Sequence, residues 1–96
     1  MEKYALGLDF GTLSVRALLV EIFTGREVAE SAFDYPHSVM DKALPNGKVL
    51  PDDWALQHPK DYLDGLVYVV RDILKTSGVD ADKIVGIGVD FTACTM

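Results

Sequence analysis

Two short apolar runs open the chain, and a turn-forming segment that contains a glycine separates them. The first run covers residues 4–10 (YALGLDF) and the second covers residues 15–23 (VRALLVEIF). Two such runs with a short link, here residues 11–14, predict a β-hairpin. A turn signal at 24–26 and a more polar run at 27–35 add a third strand near a sheet edge. The opening therefore predicts a three-stranded antiparallel meander.

One amphipathic helix and one further strand are predicted after the meander. Apolar residues recur at intervals of three and four over residues 59–77, with Pro59 at the start and Gly78 just beyond the end. Proline is favoured at the first helical position and glycine just past the last one. Residues 84–90 (IVGIGVD) are an apolar run typical of a buried strand. Because a strand after a helical crossover most simply lies parallel to an earlier strand, a mixed sheet is expected.

The fold class that follows is α/β, with the element order β-β-β-α-β. Nothing in this order covers the second face of the sheet, so apolar surface would remain exposed. We therefore expect residues 1–96 to be a fragment of a larger domain, or a unit that pairs with another copy as a homo-oligomer. Residues 36–51 contain prolines and no period, and are expected to form a long loop that is either functional or a solvated connection.

The charge and the cysteine content narrow the possible partners and the compartment. Fifteen acidic residues against nine basic ones give a net charge of −6, which argues against a nucleic-acid partner because phosphate backbones attract a positive surface. The single cysteine, Cys94, allows no disulfide within the chain and favours a reducing compartment. The sequence shows neither a signal peptide nor an apolar run of about 18 residues, so we expect a cytoplasmic protein without a membrane partner.

The end of the first predicted strand forms the first candidate site. Asp9 can hold a hydrated Mg²⁺, an ion that takes one or two carboxylates together with substrate phosphates. Gly11 lets the backbone approach a ligand, while the hydroxyls of Thr12 and Ser14 and the N–H groups of the turn suit phosphate oxygens. Arg16 lies two residues past Ser14 on the same strand face and can add a charge-assisted contact. The same residues also fit an ordinary hairpin turn capped by Asp9.

The end of the last predicted strand forms the second candidate site. Asp90 and Thr92 lie at its carboxyl end, where ligands bind in open α/β sheets. If the first and last strands are parallel neighbours, Asp9 and Asp90 end at the same edge of the sheet. Gly86 and Gly88 within this strand fit either a close backbone approach or simple strand pairing.

Several well-known catalytic and metal-binding motifs are missing from the sequence. Neither GxxxxGK[ST] nor GxGxxG occurs. Cys94 has no visible histidine partner, and His37 and His58 lack the spacing of metal ligands, so no Cys/His cluster for zinc is expected.

Three segments, in the same order, resemble one known family. The stretch GLDFGTLSVRALLVE (residues 7–21) resembles the first phosphate motif of the FGGY carbohydrate kinases, which belong to the actin-like, ribonuclease H-like ATPases. The stretches WALQHPKDYLDGL (54–66) and VGIGVDFTACTM (85–96) resemble the ribulokinase branch of that family. The resemblance extends over residues 5–96.

The resemblance implies a ribonuclease H-like fold and a specific reaction. Ribulokinases use ATP to phosphorylate ribulose at its terminal hydroxyl, in arabinose catabolism. On this resemblance Asp9 would lie near Mg²⁺. The turn with Gly11, Thr12 and Ser14 would face the phosphates of ATP, as would Arg16.

The resemblance also implies a sugar pocket, and the chain departs from a related branch there. Thr92, Ala93 and Cys94 would line the pocket. The glycerol kinase branch has Arg and Glu at the positions that match Ala93 and Cys94, so the small residues here fit a ketopentose instead. Leu13 replaces a threonine common in that branch, which removes one phosphate contact or leaves it to the backbone.

The family's catalytic Asp lies far downstream and its adenosine site lies in a second domain, so residues 1–96 are expected to be inactive alone. Phosphoryl transfer depends on positioning across a closed cleft, which half a cleft cannot supply. Two other functions remain open: an ATPase of the actin or chaperone kind, and a stand-alone binding or oligomerisation module that uses the exposed sheet face.

Overall fold

The computed structural model describes residues 2–91, and within them one mixed sheet forms the centre of the fold. Its strands are β1 (Tyr4–Phe10), β2 (Ser14–Glu21), β3 (Glu27–Asp34) and β6 (Ile84–Phe91), in the spatial order β3-β2-β1-β6. β1 pairs antiparallel with β2, β2 pairs antiparallel with β3, and β6 pairs parallel with β1. The predicted meander and the parallel final strand are both confirmed.

The turn between β2 and β3 shortens the second predicted strand. The Glu21 carboxylate accepts hydrogen bonds from the amides of Phe23 (2.9 Å) and Thr24 (3.0 Å) and from the Thr24 hydroxyl (2.5 Å). Gly25, at φ 74°, adopts the left-handed conformation that closes the turn. β2 therefore ends at Glu21, and the prediction of a strand to residue 23 was two residues too long.

The segment between the meander and the helix is more ordered than the predicted loop over residues 36–51. It contains β4 (Val39–Met40), which pairs antiparallel with β5 (Leu56–Gln57). An isolated bridge joins Ala43 to Val49. Short pairings of this kind leave no apolar alternation in the sequence, so periodicity could not predict them.

The helix α1 (Pro59–Ser77) has the predicted bounds and packs closely on the sheet. Pro59 occupies its first turn, and Gly78 at φ 68° ends it, with its N–H 3.3 Å from the Leu74 carbonyl oxygen. A Cβ atom at Gly65 would lie only 2.6 Å from Val15 Cγ1, so glycine is required where the helix meets β2. A short 3-10 helix (Ala81–Lys83) then leads into β6.

The core lies between α1 and one face of the sheet. Its buried members come from β1, β2, α1 and the residue after β3: Tyr4, Leu6, Leu8, Val15, Ala17, Leu19, Tyr35, Val69 and Ile73. Because side chains alternate along a strand, the residues between them point to the opposite face, which no described helix covers. Asp9 and Arg16 lie on that open face.

Only the start of β6 packs against the core, through Ile84, and the apolar side chains that follow along the strand are exposed. Ile87 and Val89 are the register partners of Leu6 and Leu8, and therefore lie on the helix side of the sheet. Both are more than half exposed, at 64% and 57%. An apolar groove of about 400 Å³ separates this strand from α1, whose Ile73 forms part of the wall. Within residues 2–91, apolar surface is therefore exposed on the helix side of the sheet, and not on the second face where it was expected.

Candidate functional site

Asp9 is flanked on the open face by a cation on one side and a second carboxylate on the other. Its register partner in β2 is Arg16, and its register partner in β6 is Asp90. Adjacent strands lie about 4.8 Å apart, and paired residues share a face. The predicted meeting of Asp9 and Asp90 at one sheet edge is confirmed. Asp9 forms no ion pair with any described residue.

The turn that follows β1 is tight, and its first amide is already used. The Gly11 N–H donates to the Ser14 carbonyl oxygen at 2.8 Å. A Cβ atom at Gly11 would lie 3.2 Å from that oxygen, a tight contact that would need a small shift of the turn. The expectation that the turn offers N–H groups therefore does not apply to Gly11. Among the backbone contacts of residues 2–91, the Thr12 and Leu13 N–H groups have no protein acceptor.

The carbonyl groups of the same turn are held by two distant segments. The Leu13 carbonyl oxygen accepts the Tyr35 N–H at 2.9 Å. The Thr12 carbonyl oxygen accepts the side-chain amide of Gln57, which lies just before α1, at 2.6 Å. Tyr62 in the first turns of the helix donates its hydroxyl to the other end of Gln57. Sequence reasoning missed Gln57 and Tyr62, although both lie in a segment that carried the family resemblance.

A shallow depression on the open face connects Asp9 with Arg16. Its volume is about 650 Å³, and Gly7, Leu18 and Glu30 form other parts of its lining. Gly86 and Gly88 continue this face on β6, since they are the partners of Ala5 and Gly7. A Cβ atom at either glycine would meet no described atom within 4 Å. No close backbone approach therefore explains these two glycines in the described residues.

The second candidate site is only partly within the described chain. The Asp90 carboxylate accepts the N–H of Phe91 at 2.9 Å and is exposed. Thr92, Ala93 and Cys94 lie outside residues 2–91, so their predicted place in a sugar pocket stays a prediction.

A cluster that the sequence did not predict joins the loop after β3 to the start of α1. Asp61, which is 3% exposed, accepts hydrogen bonds from the His37 amide (3.1 Å) and pairs with His37 Nδ1 (2.9 Å). Burial by itself raises the pKa of Asp61, but the hydrogen bonds from His37 outweigh it and hold the pKa below its usual value. The cluster fastens residues 36–58 to the helix.

His58 completes this cluster, although His37 and His58 lack the spacing of metal ligands in the sequence. Ligand atoms of His37, His58 and Asp61 lie within 4.8 Å of one another. The two imidazole rings are stacked, 4.2 Å apart and inclined by 12°. Nitrogen lone pairs lie in the ring plane, so nearly parallel rings cannot direct both toward one ion at the 2.0–2.1 Å that zinc requires. In this arrangement the cluster is a structural contact, formed by residues too far apart in sequence to be recognised together.

The chain was compared with curated proteins and with solved structures. It is 52% identical over 95 residues to a ribulokinase of Halalkalibacterium halodurans and 46% identical over 96 residues to a ribulokinase of Mycolicibacterium smegmatis. Each alignment covers 98% of this chain. The sequence matches the N-terminal part of ribulokinases. This agrees with the resemblance that the three motifs indicated.

The ribulokinase match covers only part of the relatives. The chain spans 17% of the length of the two ribulokinases. No protein-family model matches the chain.

Solved sugar kinases resemble this ribulokinase-like chain. A xylulose kinase from Rhodospirillum rubrum superimposes with a TM-score of 0.70 at 26% identity, over 95% of this chain and 16% of that one. A gluconate kinase from Lactobacillus acidophilus has the same fold, with a TM-score of 0.73 at 24% identity, over 96% and 16%. The α/β fold is therefore that of the actin-like sugar kinases. None of the helices in the described part of the chain is long and apolar enough to cross a membrane.

Proposed function

We propose that residues 1–96 are the N-terminal part of the first domain of an ATP-dependent ribulokinase. The full protein would transfer the terminal phosphoryl group of ATP to the terminal hydroxyl of ribulose, in arabinose catabolism in the cytoplasm. The observation that carries the proposal is the ribulokinase match over 98% of the chain at 52% identity. The convergence of Asp9, Arg16 and Asp90 on one sheet face supports it.

The donor set at the end of β1 fits a magnesium–nucleotide complex. Asp9 offers an exposed carboxylate free of any described ion pair, and Asp90 adds a second acidic group on the neighbouring strand. Mg²⁺ binds through one or two carboxylates and keeps several waters. When bound, the ion neutralises charge on the phosphate oxygens during transfer. Asp9 is therefore the residue we assign to the metal.

The turn and Arg16 would hold the phosphates. The Thr12 and Leu13 N–H groups and the hydroxyls of Thr12 and Ser14 are donors at one end of the strand pair. Arg16 follows on the same side and brings a permanent positive charge. Phosphate oxygens accept from such backbone and hydroxyl donors, so these groups can orient the nucleotide without taking part in covalent chemistry.

Two further parts of the proposed active site, the sugar pocket and the catalytic base, lie outside residues 2–91. Thr92, Ala93 and Cys94 would line the ribulose pocket, as the resemblance implies. The base that removes the proton from the ribulose hydroxyl would be an Asp contributed by a later part of the protein, and residues 1–96 alone would be inactive.

The first experiment is to measure the mass of the native polypeptide and to assay the purified protein with ATP. Ribulose, ribitol, xylulose and gluconate should be compared as acceptors. We expect a chain of several hundred residues that consumes ATP fastest with ribulose. A preference for xylulose or gluconate would reject the ribulokinase assignment while keeping a sugar kinase.

The exposed apolar side chains of β6 favour a second candidate, a stand-alone binding or oligomerisation module. Ile87 and Val89 are the side chains that such a partner would cover. A native polypeptide that ends at Met96, associates with itself and shows no ATP-dependent activity would support this candidate and exclude the kinase.

A further inference from the structure

Gln57 connects the phosphate turn to the helix through both ends of its side-chain amide. The amide nitrogen is 2.6 Å from the Thr12 carbonyl oxygen, 45 residues earlier in the chain. The amide oxygen contacts the Tyr62 hydroxyl. A carbonyl oxygen can only accept, so the NH₂ group must face Thr12 and the hydroxyl of Tyr62 must donate to the oxygen. The amide has one orientation that satisfies both contacts.

Tyr62 is itself held in place by aromatic packing. Its ring meets Phe10 at the end of β1 edge to face, with centroids 6.1 Å apart, and meets Tyr35 in the same way at 5.3 Å. Such pairs have preferred geometries, so a ring with two of them is fixed in position. The chain of contacts therefore runs from the core, through Tyr62 and Gln57, to the backbone of the turn.

Holding a carbonyl oxygen also fixes the direction of the next N–H group. The described chain contains no cis peptide bond. In a trans peptide the carbonyl oxygen and the following N–H lie in one plane and point in opposite directions. Because Gln57 draws the Thr12 carbonyl toward the helix side of the turn, the Leu13 N–H points away from it. That N–H has no acceptor among the described residues.

A second contact acts on the next peptide group in the same manner. The Tyr35 N–H holds the Leu13 carbonyl oxygen at 2.9 Å. Two consecutive peptide planes of the turn are thus fixed from the carbonyl side, one by a backbone donor and one by a side chain. The side-chain contact from Gln57 is the one that a conservative substitution can remove.

We propose that Gln57 is a positioning residue that aims the Leu13 N–H at a phosphate oxygen of the bound nucleotide. This inference rests on the proposed function, because it assumes that the turn binds the phosphates of ATP. It goes beyond that function by assigning a role to a residue that lies on neither strand of the hairpin.

The test compares ligands with and without phosphates in the full-length protein. Gln57→Leu removes the donor at similar size, and Gln57→Glu keeps an acceptor for Tyr62 but puts a carboxylate against the Thr12 oxygen. Tyr62→Phe removes only the hydroxyl. The Kd of a non-hydrolysable ATP analogue and of adenosine should be measured by calorimetry, together with Tm. Asn46→Leu, which removes an amide with a local loop contact to the Lys48 N–H, is the matched control.

We expect Gln57→Leu to raise the Kd of the ATP analogue about 3- to 10-fold, as loss of one aligned hydrogen bond would, and to leave the Kd of adenosine unchanged. Gln57→Glu should raise the Kd of the ATP analogue at least as much as Gln57→Leu does. Tyr62→Phe should raise the same Kd by a smaller factor. The control should change neither Kd.

Two results would overturn the inference, and they are distinct from failure of the proposed function. An unchanged Kd for the ATP analogue in both folded Gln57 variants would show that the contact only fastens the loop. Equal weakening of the ATP analogue and adenosine would show a general structural effect. If the wild-type protein itself binds no ATP, the proposed function fails as well.

Discussion

Asp9 on β1 and Asp90 on β6 are register partners in the parallel pair of strands, so two carboxylates lie side by side at one edge of the sheet. Like charges on neighbouring strands repel each other and destabilise the pairing. A divalent cation would relieve this repulsion, whereas Arg16 on the other side of Asp9 forms no ion pair with either carboxylate. This arrangement is the reason that the proposed metal site is assigned to Asp9.

Substitution of Asp9 tests the metal assignment. We expect Asp9→Asn in the full-length enzyme to lower kcat on the order of 100-fold, the loss typical of removing a group that stabilises transferring charge. The KM for ribulose should change little, because the sugar pocket is assigned to other residues. Steady-state kinetics across a range of Mg²⁺ concentrations measures both.

Asp64→Asn serves as the control for Asp9, since Asp64 is an exposed helix residue whose contact is an ion pair with Lys60 at 3.6 Å. It should leave kcat and the Mg²⁺ dependence unchanged. An Asp9→Asn enzyme with wild-type kcat would remove Asp9 from the metal site.

Stability should depend on pH through Asp61. Because the folded state lowers the pKa of this carboxyl group, the stabilisation it gives is present above the usual carboxyl pKa of about 4 and is lost as the pH falls through the folded value. Asp61→Asn should therefore lower Tm by about 5 °C or more at pH 7, and the difference from wild type should shrink toward pH 2.5. Thermal unfolding followed by circular dichroism at several pH values measures this.

The same unfolding series on Asp64→Asn gives the comparison, because an exposed pair contributes less than about 1 kcal/mol. A Tm difference for Asp61→Asn that stays constant from pH 7 to pH 2.5 would contradict the role of its charge.

Gly65 should be intolerant of alanine although it lies within a helix. Alanine normally stabilises a helix interior by about 1 kcal/mol relative to glycine. Here the new Cβ would lie 2.6 Å from Val15 Cγ1 and 3.0 Å from Phe33 Cδ2, and Val15 is fully buried. Overpacking of this kind costs about 1–3 kcal/mol, so Gly65→Ala should lower the free energy of unfolding measured with urea.

Gly86→Ala is the matched substitution at a glycine whose added Cβ meets nothing within 4 Å in the described chain. It should leave the protein as stable as wild type or more so. A Gly65→Ala protein that is more stable than wild type, with Gly86→Ala unchanged, would contradict the close contact between α1 and β2.

Glu21 should be needed as a carboxylate. Both of its oxygens accept hydrogen bonds from the turn, and the Thr24 hydroxyl and the Phe23 N–H lower its pKa. Glu21→Gln replaces one acceptor with an NH₂ group that faces donors, so Tm should fall. Glu27→Gln, an exposed position on the neighbouring strand, should leave Tm unchanged, and equal effects of the two would contradict the capping role.

The sequence predicted the parts of the fold that depend on local patterns. The ends of α1 follow from Pro59 and Gly78, and the hairpin follows from two apolar runs around Gly11. Periodicity contains no information on which distant side chains meet. The contact between Gln57 and Thr12, and the cluster of His37 with Asp61, arise because the segment before α1 folds back over the turn.

The candidate site at the end of β1 could also be predicted only in part. Asp9 and Asp90 could be placed at one edge because parallel strands end together. The use of the Gly11 N–H by Ser14 depends on the tightness of the turn, which the residue types alone do not determine. The sequence therefore identified the elements that build the site, and the structure identified which of their donors are available.

The pairing of β6 with β1 also orders the steps by which the chain folds. β1, β2 and β3 meet through turns of a few residues, so their contacts form at small cost in chain entropy. β6 reaches β1 only after a loop of roughly 80 residues is closed, a longer and slower search. We therefore expect Asp9 and Asp90 to come together only when this pairing forms, after the meander.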